Sequence, residues 1–486
     1  MPVSSHVRVA IIGSGFGGIG TAIRLKQSGI ADFVIFERAN DVGGVWRDNS
    51  YPGAACDVPS HLYSFSFAPN PDWSHHFSPQ PEIWEYLRRC VQQFSIQPHL
   101  RLNHEVRSAR WNDAKLYWEI ATSQGDYTAS ALVMATGALS EPNLPALPGL
   151  ENFKGVTFHS ARWNHSFDLR GRNVAVIGTG ASAIQFVPAI QPSVAMLYLF
   201  QRTPAWVLPR GDHAIDESQQ QKFRRFPLAQ KFQRAKIYLQ LERDGIGFRR
   251  PELMKIAEKA ALEHLQKQVA DPDLRAKLTP NYTIGCKRIL ISDNYYPAVT
   301  QPNVELITSG VGELRAHSIV GNDGVERPLD AIIFGTGFHV TDFPFAAHVW
   351  GRGGVNLGEC WAESPKAHVG TTVAGFPNFF ILQGPNTGLG HTSVIYIIEA
   401  QIEHLLGALK HMQRKGVAAL EPRPDAQAAF VADVDQKMQQ TVWQTGGCKS
   451  WYLDTTGRIA ALWPGSTFAF RRRVATFRAG EYQVVG

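Results

Sequence analysis

The 486-residue sequence holds only five cysteines, Cys56, Cys90, Cys286, Cys360 and Cys448, with no Cys-x-x-Cys pair and no Cys/His spacing suited to zinc. Reduced thiols are therefore expected and no metal is. A flavin-linked disulfide reductase, which needs two neighbouring cysteines to accept electrons, is disfavoured. Charge of one sign is scarce as well. The formal net charge is +6, with Lys and Arg interleaved among Asp and Glu, so no nucleic-acid partner is expected and the argument for a membrane surface is weak. Apolar runs of about 18 residues, the length of a spanning helix, are missing. MPVSSH leads straight into a strand-like run. Neither a transmembrane segment nor a secretory leader is expected, and the expected location is cytoplasmic.

The length exceeds what one core usually serves, so two or more domains are expected. HVRVAIIG reads as a buried strand, followed by Gly13, Gly15 and Gly18 and a helical pattern through Ile23 and Leu25. Gly13 suits a tight turn, Gly15 lets backbone approach a pyrophosphate, and Gly18 lets helix and strand pack closely, with the helix N-terminus facing phosphate. The next strand, DFVIFE, ends in Glu37, 24 residues after Gly13, where a carboxylate accepts hydrogen bonds from a ribose diol. Residues 43–67 have no period and read as a long ordered loop, a surface excursion or the wall of a site. From Trp111 a small antiparallel meander closes on a strand ending near Ala-Thr-Gly, residues 135–137.

NVAVIG, 173–178, repeats the strand-then-loop pattern with Gly178, Gly180 and Ala183, and Ser182 lies near the following helix start. Its second strand ends without an acid, in Arg202 and Thr203; Arg202 stands 24 residues after Gly178, the offset that separates Glu37 from Gly13. A guanidinium chelates a 2′-phosphate that a carboxylate would repel. The first loop is therefore expected to hold FAD and the second NADPH. FKGVTFHSARWN, 153–164, falls between the two loops and reads as the joint between two cofactor domains, an arrangement suited to passing reducing equivalents.

Residues 208–284 are charge-rich, with apolar residues such as Leu253, Ile256, Ala257, Ala261 and Leu265 at helical spacing, and read as a helical insertion whose cations form a solvated face. Lys287 and Arg288 follow it, a basic pair of the kind usual on a surface; if the chain here returns to the second nucleotide domain, they lie on the side where the two cofactors meet. DAIIFGTGF, 330–338, echoes the first return strand. GFPNFFILQGPNTGLGHTS, 375–393, is a strand, a turn containing Asn386 and the start of a helix whose free N–H groups suit the electron-rich edge of a flavin. The fold class is α/β, with two Rossmann-like dinucleotide-binding domains and a helical insertion. The expected parts are 1–145 and 340–486 for FAD, 146–207 and 285–339 for NADP, and 208–284 for the insertion.

The chain resembles the class B flavoprotein monooxygenases, and within them the type I Baeyer–Villiger monooxygenases. Their short fingerprint, F-x-G-x-x-x-H-x-x-x-W followed by Pro or Asp, is matched by Phe153, Gly155, His159 and Trp163, with Asn164 departing at the last place. Their long fingerprint, G-G-x-W-x4-[FY]-P-G-x3-D, is matched by Gly43, Gly44, Trp46, Tyr51, Pro52, Gly53 and Asp57. The resemblance implies oxygen insertion next to a ketone carbonyl through a C4a-peroxyflavin, with N- or S-oxygenation as the alternative. It implies that Arg288 favours the anionic peroxyflavin and the adduct that follows, with Asp57 holding it, and that Lys287 joins Arg202 and Thr203 on the 2′-phosphate. Trp451 resembles a tryptophan that contacts the nicotinamide nucleotide. His159 and Trp163 are similar to linker residues that couple domain motion to catalysis. Gly44, Trp46, Tyr63 and Asn386 complete the cofactor-binding candidates, with a ketone and O2 as the expected partners.

Overall fold

The computed structural model describes residues 5–486. Strand β1 (Ser5–Ile12) feeds the first glycine loop and helix α1 (Phe16–Gln27), and β2 (Phe33–Phe36) returns parallel to β1. After α2 (Gln80–Gln93) come β3 (Leu100–Arg101) and the antiparallel meander β4 (Val106–Asn112), β5 (Tyr117–Thr122) and β6 (Gly125–Met134). These strands, with two supplied from far downstream, make an eight-stranded sheet in the order β17-β4-β5-β6-β1-β2-β3, with β18 also on β6. The downstream strands are β17 (Val349–Trp350) and β18 (Phe379–Ile381). Val9 and Ile11 of β1 pack into one core with Ile19 and Ile23 of α1, while Ala10 and Ile12 pack into another with Trp118 and Phe379. Alternate side chains point to opposite faces, and both faces are covered, so the strand reads as a continuous apolar run.

The second sheet has five strands in the order β12-β9-β8-β16-β7, all parallel. They are β7 (Val156–His159), β8 (Asn173–Ile177), β9 (Met196–Phe200), β12 (Val304–Ile307) and β16 (Ala331–Phe334), with α3 (Ala183–Ile190) crossing from β8 to β9. Between β12 and β16 lies a three-stranded antiparallel sheet, β13 (Val311–Arg315), β14 (Ser318–Gly321) and β15 (Glu326–Pro328), with no counterpart in the sequence expectations. A two-stranded parallel pair, β10 (Val207–Leu208) with β11 (Leu290–Ile291), brackets the helical segment. Its longer helices are α4 (Glu217–Arg225), α5 (Pro227–Asp244), α6 (Met254–Gln268) and α7 (Pro272–Leu278). The long helix α8 (Val394–Lys415) lays Ile398, Ile402, Leu405 and Leu409 against the core of the first sheet.

Two expectations are corrected. Cys286 and Cys448, 162 residues apart, form a disulfide, while Cys56, Cys90 and Cys360 are free; distance along the chain says nothing about a pair that the fold itself brings together. In α6 the buried face consists of Met254, Ala261, His264 and Leu265, whereas Ile256 and the preceding Leu253 are exposed. Helical spacing says which residues share a face, not which face is covered.

Candidate functional site

The first glycine loop leaves space only where a ligand would use it. Gly13 has φ +100°, and a Cβ there would lie 2.7 Å from the Ala135 carbonyl oxygen; a Cβ on Gly18 would lie 1.8 Å from that of Gly13. Both positions are closed to any side chain. A Cβ on Gly15, the residue preceding α1, would meet nothing nearer than the Gly44 Cα at 3.7 Å, and Gly44 itself has φ +55°. Backbone is therefore bare on the side that a pyrophosphate approaches. Glu37 is buried just past β2. Its Oε2 accepts from the Ser14 N–H and hydroxyl at 3.0 and 2.7 Å, its Oε1 accepts from the Ala39 N–H at 3.0 Å, and Arg47 lies 3.1 Å away. The carboxylate is fixed at the mouth of the loop.

The second loop repeats the pattern. Gly178 has φ +106° and abuts the Gly335 carbonyl oxygen, whereas nothing lies within 4 Å of a Cβ on Gly180. Ser182 directly precedes α3 and makes no side-chain cap there; its hydroxyl lies beside the Tyr51 phenol. Arg202 is exposed and Thr203 half-buried just past β9. Burial, with the neighbouring Arg202 charge second, lowers the pKa of Lys287 below the usual lysine range. The Arg202 charge is thus felt at Lys287, and an anion bound by both would relieve the repulsion. Both loops fit the dinucleotides expected for them.

The long fingerprint forms one wall between the two sheets. Trp46 donates its indole N–H to the Tyr63 hydroxyl at 3.0 Å. Tyr51 donates to Gln185 Oε1 of α3 at 3.0 Å, and Gly53, at φ +80°, brings its backbone so close to the Gln185 carbonyl that a Cβ would lie 2.7 Å from the oxygen. Trp163, from the short fingerprint, packs its ring 6.5 Å from Tyr51 and 5.4 Å from Phe186, centroid to centroid. The two fingerprints therefore touch. His159 ends edge strand β7; its Nδ1 accepts from the Ala161 N–H at 3.1 Å, and its Nε2 is buried without a partner among the described residues. Burial lowers its pKa to about 4, so the ring is neutral near pH 7.

At the end of that wall Asp57 meets Arg288. Arg288 donates from Nε at 2.9 Å and from Nη2 at 2.6 Å to the same carboxylate oxygen, Oδ2, and a longer bond of 3.5 Å runs from Nη1 to the Leu389 carbonyl. The Asp57 charge holds the guanidinium above even the usual arginine range. The pair is about 30% exposed, charge-paired yet reachable. Trp451 lies about half exposed, three residues past the disulfide-bonded Cys448.

Asn386 has its side chain committed to protein partners. Its Nδ2 donates to the Ile459 and Leu462 carbonyls, and its Oδ1 accepts from Arg458. The side chain anchors the 459–462 segment and has both amide protons committed there. Ser393 caps α8 by accepting from the Ile395 N–H, and the adjoining Thr392 hydroxyl and His391 Nδ1 are buried without partners among the described residues.

Three contributors carry no sequence signal. Arg210 donates to the Cys56 and Phe77 carbonyls and so holds the backbone that presents Asp57. Gln185 ties α3 to Ala55 through both its amide oxygen and nitrogen. The Cys286–Cys448 bridge joins the Arg288 segment to the Trp451 loop.

Residues 6–229 match the family model described as flavin-binding monooxygenase-like. A Baeyer–Villiger monooxygenase of Streptomyces coelicolor is 52% identical over 485 residues, covering 99% of this chain and 93% of its own length. One from Pseudomonas aeruginosa is 51% identical over 482 residues, covering 99% and 92%. Among solved structures, cyclohexanone monooxygenase from Rhodococcus sp. Phi1 bound to NADP+ superposes with TM-score 0.87 at 28% identity over 99% of both chains. OTEMO in complex with FAD and NADP gives 0.88 at 26% identity, covering 98% of this chain and 99% of that one.

Proposed function

This chain belongs to the Baeyer–Villiger monooxygenases, and from that premise we propose that Arg288, held by Asp57, is the residue that acts on the reacting atoms. The enzyme is an FAD-containing, NADPH- and O2-dependent monooxygenase that converts a ketone to an ester or lactone. When bound, the flavin supplies hydride acceptance from NADPH and activation of O2. The chain supplies binding, orientation and electrostatics.

In this reading 1–145 and 340–486 hold FAD, 146–207 and 285–339 hold NADPH, and 208–284 is the helical insertion. Gly13, Gly15 and Gly18 cradle the FAD pyrophosphate at the start of α1, and Glu37 accepts from the ribose diol. Gly44, Trp46 and Tyr63 wall the flavin side. Gly178, Gly180 and Ser182 receive the NADPH pyrophosphate, and Arg202, Thr203 and Lys287 its 2′-phosphate. Trp451 covers the nicotinamide end.

Arg288 keeps a full positive charge at any working pH, and with Nε and one Nη2 N–H committed to Asp57 and Nη1 only 3.5 Å from the Leu389 carbonyl, an N–H on each of Nη1 and Nη2 is left to donate. Fixed donors of this kind favour negative charge developing on the substrate carbonyl oxygen as the ketone is attacked. His159 and Trp163 act through position: a neutral ring next to the joint and an indole touching the other fingerprint transmit closure without moving a proton.

The observation that carries the reading is the Arg288–Asp57 pair, which unites the end of the long fingerprint with the segment that follows the insertion. The test is the mass of products formed from a panel of ketones and sulfides with NADPH. Esters or lactones one oxygen heavier than their ketones are expected. Sulfoxides from the sulfides with every ketone returned unchanged would overturn the reading in favour of a heteroatom oxygenase.

A further inference from the structure

Helix α5 has two faces of different kinds. The inner one is pinned to the loop that follows Asp57: Gln230 Nε2 donates to the Asn70 carbonyl at 2.6 Å, and Arg234 Nη1 donates to the His61 and Leu62 carbonyls at 2.8 and 3.2 Å. Ile237 is buried beside them. The outer one carries Leu228, Phe232, Ala235 and Leu239, spaced i, i+4, i+7 and i+11, which at 3.6 residues per turn fall within an arc of about 60°. Leu228, Phe232 and Leu239 are 78, 74 and 65% exposed, and Phe226, just before the helix, is 54% exposed. A stripe of large apolar side chains open to solvent on a firmly docked helix is unusual for an ordinary surface.

The charges beside the stripe say what covers it. Lys231 and Lys236 flank it on opposite sides, with Lys222 and Arg225 at its N-terminal end, all of them exposed. No Asp or Glu occurs between Glu217 and Glu242. Apolar residues bordered by cations on a helix that one face fixes in place are the features of a helix lying in the plane of an anionic bilayer surface. A second copy is disfavoured by the same charges, since joining two stripes sets lysine against lysine. No helix of the described residues is long and apolar enough to cross a membrane, so the contact is one of lying on the surface. With the exposed stripe between them, these cations are more than a solvated face.

We propose that the outer face of α5, through Leu228, Phe232 and Leu239 with Lys231 and Lys236, docks on an anionic lipid surface. An enzyme held there meets apolar ketones dissolved in the lipid. The inference stands independently of the oxygenation chemistry.

The experiment is co-sedimentation of the flavin-loaded enzyme with vesicles of equimolar phosphatidylglycerol and phosphatidylcholine, against vesicles of phosphatidylcholine alone. Binding to the anionic vesicles is expected, weaker by about tenfold or more for K231Q/K236Q. It is also expected to weaken at about 1 M salt, where screening is nearly complete. The L228D/F232D/L239D variant is expected to lose binding while keeping its melting temperature and NADPH oxidation rate. Absence of sedimentation, equal binding to both vesicle types, or unchanged binding by both variants would overturn the proposal. So would a wild-type dimer in light scattering that the aspartate variant makes monomeric, since a second copy would then own the face. Should the aspartate variant fail to fold, the lysine variant and the salt dependence decide.

Discussion

Replacing Asp57 with Asn tests the pair at the centre of the site with the least disturbance. Both Arg288 bonds end on one oxygen, Oδ2, and an asparagine offers one such oxygen in the same place. The loop backbone stays put, because Arg210 grips the Cys56 carbonyl from the other side. What changes is the charge. Two hydrogen bonds between full charges become bonds to a neutral amide, a loss of about 1–2 kcal/mol together, with the smaller figure favoured because water reaches a pair that is about 30% exposed. The Leu389 carbonyl at 3.5 Å is too distant to take over. If that loss falls on the positioning of Arg288, ester formation drops by about 5- to 30-fold. Ester and NADPH consumption are measured together, with flavin content as the control for folding. D57N is expected to keep its FAD and to oxidise NADPH while making less ester, the difference appearing as hydrogen peroxide. A D57N enzyme with wild-type ester yield and rate would refute the idea that the carboxylate holds the arginine in its working position.

Arg202→Ala removes charge-assisted bonds worth about 1.5–3 kcal/mol, so KM for NADPH is expected to rise roughly ten- to a hundredfold with that for NADH unchanged; equal use of both coenzymes by the wild type would show that no 2′-phosphate is read there. Gly180→Ala places a Cβ where no protein atom lies within 4 Å, so melting temperature and flavin content should hold while NADPH affinity falls, and an unchanged affinity would count against a pyrophosphate at that loop. Burial lowers the His404 imidazole to about 4, with its Nδ1 on the Val474 carbonyl and its Nε2 on the Tyr482 hydroxyl. Below its ordinary pKa of about 6.5 the unfolded chain takes up a proton that the native protein refuses. Stability should therefore fall by about 3 kcal/mol as pH drops from about 6.5 to 4 and lose nothing further through this residue below that. His404→Gln should flatten the slope in thermal melts without abolishing it, since His61 and His159 are also lowered to about 4; a melt with the wild-type slope would refute the assignment.

The parts of the molecule legible in sequence are those whose physics is local. Gly13 and Gly18 could be read because their tight contacts are with residues of the same strand–loop–helix unit or its neighbouring strand, and those contacts forbid any side chain. Continuous apolar strands such as β1 announced a sheet covered on both faces. Contacts between distant segments were not legible from spacing. Asp57 and Arg288 are 231 residues apart, and only the resemblance, not any periodicity, suggested that they meet. The Cys286–Cys448 bridge went against expectation for the same reason, and nothing in the spacing of Arg210 or Gln185 says which segments they hold. Asn386 was legible as a turn residue, but not that a neighbouring loop takes its side chain. Leu228 and Phe232 could be seen as apolar, but only the packed structure leaves them uncovered.

If Arg288 favours the negative charge that develops on the ketone oxygen, the most direct measurement is ester formed per NADPH oxidised, with 18O2 as the oxygen source, in wild type and R288A. The expected result is wild-type ester carrying one 18O at close to one per NADPH. R288A should bind flavin and oxidise NADPH yet form almost no ester. Labelled ester made by R288A at the wild-type ratio and rate would contradict the account.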